Sequence, residues 1–219
     1  MAKKVGVILS GCGVYDGAEI HESVITMLAL DRAGAEMVLC APNREQMHVV
    51  NHLTGEVADG ESRNVLVESA RIARGAIRDV AEVEADELDA LILPGGFGAA
   101  KNLCNFAVQG ADCEVDAQVA DLVRRVHLGG KPVAAVCIAP ALLAKVFGQE
   151  GPSVTIGSDL DTAEAIEEMG AKHVNCPVTE FVIDEERKII TSPAYMLAQN
   201  MSEAAEGIEK TVAELLRLA

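Results

Sequence analysis

The chain has 219 residues, half of them hydrophobic, and carries 34 acidic against 18 basic side chains for a net charge of −16. That size suits one α/β domain with a large core, and so acidic a balance argues against nucleic acids and anionic membranes as partners, since both demand clustered Lys and Arg. Met1-Ala2-Lys3-Lys4 leads straight into a short apolar strand with no cleavage site, which predicts a cytoplasmic location, and six cysteines without a Cys-x-x-Cys pair predict free thiols and no structural metal.

Val5 to Leu9 is a continuous apolar run of the kind found in central parallel strands, followed by the loop Ser10-Gly11-Cys12-Gly13. The loop departs from the dinucleotide fingerprint: Asp16 stands where a third glycine belongs, and its carboxylate repels a pyrophosphate. Ile20, Val24, Met27 and Leu28 then mark a helix by their spacing. Glu22 lies nearly opposite them, on a face that continues as Ile25, Thr26, Ala29 and Ala33, so both faces are expected to be buried. A carboxyl so placed must find hydrogen-bond partners or stay protonated, and a protonated Glu can donate to a thiolate or relay a proton. A first-turn Glu favoured by the helix dipole suits the same position.

Met37 to Ala41 reads as a second strand, and residues 42–87 form a polar excursion with a hairpin around Thr54-Gly55 and a helix from about Ser62 to Arg74. This excursion is long enough to cap the sheet's edge and to bring His48 and His52 over a site. Ala90 to Leu93 is a third strand, ending at Pro94-Gly95-Gly96. A fourth strand ends at Cys137, which sits where Lys131-Pro132-Val133-Ala134-Ala135-Val136 runs without a spacer into a helix expected from Ile138. That is the pattern of a nucleophile elbow: a tight strand-to-helix turn pushes the side chain clear of the sheet, and the helix N-terminus favours thiolate. A buried core cysteine fits the same residues. Phe181 to Ile183 and Lys188 to Thr191 read as a hairpin, and Met201, Ala204, Ile208, Val212 and Leu215 as a closing helix.

In an open parallel sheet, ligands bind outside the carboxyl ends of the strands, where the loop at Gly11–Gly13, the Gly95-Gly96 turn and Cys137 all fall. Glycines leave backbone N–H groups unshielded, so one of that pair together with the N–H of Ile138 can form an oxyanion hole beside the sulfur. His21 adjoins Glu22 in sequence but points about 100° away around the helix. Cys12 is a candidate resolving thiol.

Gly17-Ala18-Glu19-Ile20-His21-Glu22-Ser23, Leu93-Pro94-Gly95-Gly96 and Ala134-Ala135-Val136-Cys137 together resemble the PfpI-like superfamily, which includes deglycases and glutathione-independent glyoxalases and is related to glutamine amidotransferase domains. Val50-Asn51-His52-Leu53-Thr54-Gly55-Glu56 and Thr191-Ser192-Pro193-Ala194-Tyr195-Met196 resemble its enhancing-lycopene-biosynthesis group, and the likeness spans the chain. It implies a single domain over residues 1–219, flavodoxin-like and doubly wound, with a mostly parallel sheet in a three-layer α/β/α sandwich. It also implies Cys137 as nucleophile, Glu22 as its acidic partner, Gly96 and Ile138 as oxyanion donors, no cofactor, a homodimer, and a small 2-oxoaldehyde as substrate. Ile138 stands where many relatives have histidine, and His173 is followed by Val174-Asn175 instead of the His-x-Glu of glutaminases. The resemblance therefore implies a slow glyoxalase, with a redox-sensitive regulatory thiol as the alternative, and His21, His48, His52 and Cys12 as accessory candidates.

Overall fold

The computed structural model describes residues 2–219. Its chain runs β1 (Lys4–Ile8), α1 (Ile20–Arg32), β2 (Glu36–Ala41), β3 (Val50–Asn51), β4 (Glu56–Val57), α2 (Val65–Ile72), β5 (Arg78–Asp79) and β6 (Ala90–Leu93). It continues through α3 (Phe97–Lys101), α4 (Phe106–Gln109), α5 (Ala117–Leu128), β7 (Val133–Val136), α6 (Pro140–Phe147), β8 (Ser153–Val154) and α7 (Leu160–Glu168), and ends with β9 (Lys172–His173), β10 (Val182–Asp184), β11 (Ile189–Ser192) and α8 (Met201–Leu218).

Seven strands form one sheet in the order β10-β11-β7-β6-β1-β2-β5, parallel throughout except where β10 meets β11. Successive strand residues face opposite sides, and the sequence fills both with apolar groups. Leu91, Leu93, Val133, Ala135 and Ile189 enter a core shared with α5 and α6, whereas Ala90, Ile92, Ala134, Val136 and Ile190 enter a second core under α1 and α8. The result is the expected doubly wound α/β/α sandwich. The last helix docks as its spacing predicts, burying Ala204, Ile208, Val212 and Leu215, with about 1.5–3 kcal/mol for each large side chain.

The hairpin at Thr54-Gly55 is present as β3 and β4. The helix expected from Ser62 to Arg74 is shorter: Asn64 caps it by accepting from the N–H of Val67, and Arg74 and Gly75 leave it with left-handed φ values of 53° and 84°. The excursion extends the sheet through β5 and does not cap the site. Its hairpin instead seats on the first glycine loop, where Asp16 Oδ2 accepts from the N–H of Val50 at 2.7 Å. No helix among the described residues is long and apolar enough to cross a membrane.

The face of α1 is reversed from the simplest reading of its pattern. Glu22, Ser23, Ile25, Thr26 and Leu30 are buried, while Ile20, Val24 and Leu28 are 42%, 48% and 41% exposed. Ser23 is tolerated inside because its hydroxyl donates to the Glu19 carbonyl at 2.7 Å.

Candidate functional site

The elbow is built by backbone strain at one residue. Cys137 has φ of 62°, a conformation that costs a side-chain-bearing residue about 1–3 kcal/mol and persists only where surroundings impose it. Its N–H is held by the carbonyl of Ser192 at 2.9 Å, which continues the β7–β11 ladder one residue past the strand. The following helix begins at Pro140, not at Ile138. Proline suits the first helical position because it has no N–H to satisfy there, and Ile138 and Ala139 are left to form the tight turn.

Gly95 packs beside both the sulfur and Glu22. A Cβ there would stand 2.7 Å from Glu22 Oε2 and 2.9 Å from Cys137 Sγ, so only glycine lets the two groups meet. Glu22 is fully buried, and both its oxygens accept backbone hydrogen bonds, Oε2 from Gly95 at 3.0 Å and Oε1 from Tyr195 at 3.1 Å. Burial dominates its titration and the nearby Glu19 adds to it, so the carboxyl is pushed up to about 7 despite the opposing N–H of Tyr195 and the bond to Cys137.

Cys137 is also buried, and its thiol is pushed well above its ordinary value, first by that burial and then by the charge of Glu22. The N–H groups of Gly96 and Ile138 pull the other way. The helix-end argument for a ready thiolate is thus outweighed. What the site holds instead is a thiol and a carboxyl close enough to exchange one proton, each with two backbone donors to hold the negative charge when it arrives.

The sulfur opens into a cavity of about 470 Å³. Val14, Phe97, Phe106, Ile138 and Met196 supply its apolar wall, and Glu19, Asp159, Thr162 and Tyr195 its polar groups, with no Lys or Arg in the lining. A depression of the same volume lies at the amino end of the strands, between His127, Glu150 and Arg187, and contains no cysteine.

The accessory candidates divide. His21 is exposed, but its Nδ1 lies 2.9 Å from Tyr195 Oη, one residue removed from Glu22's own shell. His52 accepts through Nε2 from the N–H of Tyr15 at 3.2 Å and turns Nδ1 to the Val50 carbonyl, so it fastens the hairpin to the first loop. Neither His48 nor His52 lines the cavity, and neither does Cys12, which is set among Glu68, Arg71, Asp16 and Arg63 and is raised by burial. No three His, Cys, Asp or Glu side chains converge as a metal site among the described residues. The first loop is filled by its own contacts: Asn102 donates to the carbonyls of Ser10 and Asp16, both at 2.8 Å.

Sequence reasoning missed Tyr195, Phe106 and Asp159. Tyr195 follows Ala194, whose φ is 43°, and acts through its backbone, for which no side-chain pattern gives a signal.

The sequence pattern of the DJ-1/PfpI family matches residues 11–205. A human protein named glutamine amidotransferase-like class 1 domain-containing protein 3, mitochondrial, is 47% identical over 99% of this chain and 84% of its own length. The crystal structure of an isoprenoid biosynthesis protein with amidotransferase-like domain from Ehrlichia chaffeensis superposes with a TM-score of 0.91 at 37% identity, covering 99% of this chain and all of that one. Drosophila melanogaster DJ-1beta, at 21% identity and a TM-score of 0.55 over 100% of this chain and 96% of its own, shares the fold.

Proposed function

The chain belongs to the DJ-1/PfpI family, whose superfamily includes glyoxalases and regulatory thiol proteins, and from that premise we propose that it is a cofactor-independent glyoxalase acting on 2-oxoaldehydes. The observation that carries this reading is Glu22, a carboxyl brought to about 7 and held by two backbone N–H groups beside a strained thiol. A group that titrates near the working pH can both take and return a proton.

In the first step Glu22 takes the Cys137 proton while the sulfur adds to the aldehyde carbon, giving a hemithioacetal whose oxyanion the N–H groups of Gly96 and Ile138 are placed to receive. Glu22 returns that proton to the hemithioacetal oxygen and, as a carboxylate again, takes the hydrogen of the hemithioacetal carbon as a proton to give an enediolate. The hydroxyl proton passes from the first oxygen to the second, and Glu22 delivers its proton to the neighbouring carbon, which leaves a thioester of the 2-hydroxy acid. Water adds to the thioester, the carbon–sulfur bond breaks, and the thiol is restored. Among the described residues no histidine lines the cavity, so on this reading proton transfer falls to carboxyls, with Glu22 buried behind the sulfur, and turnover is slow.

The cavity favours neutral or cationic 2-oxoaldehydes with an apolar tail. Its wall is aromatic and aliphatic, while Glu19 and Asp159 disfavour anions. Ile20, Val24 and Leu28 form an exposed stripe beside His21, and we infer that a second copy of the chain covers it; sedimentation of wild type and Val24→Glu tests this.

The direct test is glutathione-free conversion of glyoxal, methylglyoxal and phenylglyoxal to their hydroxy acids by wild type, Cys137→Ser and Glu22→Gln. Acid formed catalytically by wild type and lost in both variants supports the reading. Wild type that forms no more acid than Cys137→Ser defeats it and leaves a regulatory thiol, with Glu22 bonding an oxidised Cys137, as the account of the same geometry.

A further inference from the structure

A second pair of thiols meets away from the elbow. Leu103 to Asn105 and Glu114 to Asp116 run antiparallel for one bridge: Cys104 pairs with Val115, Asn105 donates to the Glu114 carbonyl at 3.1 Å, and Asp116 donates to that of Leu103 at 2.8 Å. The Glu114 N–H is taken by Asn105 Oδ1 at 2.6 Å, which tightens the pinch. Cys113 stands two residues before Val115 and therefore on the same side of the bridge as Cys104, so the two buried thiols are diagonal neighbours, with Cys104 Sγ donating to the Ala99 carbonyl at 3.3 Å. Cys113 Sγ also lies 3.8 Å from Met169 Sδ, and Lys145, anchored to the Ala111 carbonyl at 2.8 Å, stands on the Cys113 side of the pair.

We propose that Cys104 and Cys113 form a reversible disulfide when the protein meets a hydroperoxide, with Cys113 oxidised first and Cys104 resolving it. The pair is already divided in character. The neighbouring Cys104 and the charge of Lys145 lower the Cys113 thiol, whereas the neighbouring Cys113 and burial raise that of Cys104, whose proton points to the Ala99 carbonyl. The Cys113 thiolate attacks the peroxide, forming an S–O bond as the O–O bond breaks, and the departing alkoxide or hydroxide takes a proton. The Cys104 sulfur then attacks the Cys113 sulfenic acid, the S–O bond breaks, and hydroxide leaves with the Cys104 proton as water. The two thiols are oxidised and the peroxide is reduced, so atoms and electrons balance. The bridge closes residues 105–112 into a ring, and Phe106 and Ala107 of that ring line the Cys137 cavity. Nothing in this chemistry requires Cys137.

The test treats the full-length protein with stoichiometric hydrogen peroxide, blocks remaining thiols with N-ethylmaleimide in acidic denaturant, and digests on the N-terminal side of aspartate. Cleavage before Asp112 separates the two cysteines unless a bridge joins them. The expected result is a linked Cys104–Cys113 pair, reversed by dithiothreitol and formed equally in Cys137→Ser. In Cys104→Ser the reaction stops at a sulfenic acid on Cys113 that dimedone traps, and Cys113→Ser gives neither product. Recovery of Cys104 and Cys113 both alkylated in wild type while another thiol is oxidised would overturn the proposal without reference to any variant's folding. Its outcome is independent of whether hydroxy acids are formed.

Discussion

The two sulfur centres are built on opposite principles. At the elbow, Cys137 has a strained backbone, a buried acid partner and a cavity in front of it, yet its thiol is pushed well above its ordinary value. At the pinch, Cys113 has unstrained extended backbone with φ of −60°, no place in the cavity lining, and a thiol lowered by a neighbouring thiol and by Lys145. Acidity and substrate access are therefore separated onto different residues. A deprotonated sulfur beside an open cavity is exposed to any passing oxidant, whereas Cys137 becomes nucleophilic only as Glu22 accepts its proton, which couples reactivity to the presence of an electrophile.

Replacing the elbow sulfur gives the largest separation of the two centres. Cys137→Ser reduces hydroxy-acid formation to the uncatalysed background while peroxide still closes the Cys104–Cys113 bridge; product-specific chromatography and peptide mapping on one preparation read both. Glu22→Gln comes next, with turnover lowered by about 10²- to 10⁴-fold. The same variant changes stability against pH. Because the folded pKa of about 7 lies above the ordinary 4.5, the folded state holds this proton more tightly, so stability present below pH 4.5 falls as pH rises through 7. The fall is on the order of 3 kcal/mol, and urea titrations between pH 4 and 8.5 show it in wild type and a flatter profile in Glu22→Gln. Gly95→Ala forces a methyl against both Cys137 and Glu22 and costs about 1–3 kcal/mol, read as a melting shift of roughly 2–4 °C per kcal/mol. Phe106→Ala lowers kcat/KM for phenylglyoxal about tenfold and leaves glyoxal unchanged. Smallest of all, Cys113→Ser leaves the pH profile of acid formation where wild type has it; a displaced profile would show that the two centres share a proton.

The strands were legible because a parallel sheet covered on both faces needs unbroken apolar runs such as Ala90–Leu93 and Val133–Val136. The elbow was legible because Cys137 abuts a helical pattern directly and Gly95-Gly96 ends the neighbouring strand. The buried face of α1 was only half legible. Ile20, Val24 and Leu28 advertise a core stripe that stays outside, while Glu22 and Ser23 go inside on hydrogen bonds whose partners are invisible to periodicity. The histidines of the excursion misled for a related reason: His52 is committed to the Tyr15 N–H, a backbone contact that residue type does not announce. Cys104 and Cys113 carried no signal because their spacing matches no redox or metal motif, and only the antiparallel bridge makes them diagonal neighbours.

One hydrogen bond sets an order of events during synthesis. The Tyr195 N–H closes on Glu22 from 173 residues away, and Cys137 is held by the Ser192 carbonyl in the same late segment. A ribosome delivers the chain from its N-terminus, so the thiol and its acid partner are both outside the exit tunnel well before the strand that joins them. The reactive pair is assembled only once that later segment has arrived, and a chain released before it carries an ordinary cysteine and an ordinary glutamate in place of a half-made catalyst.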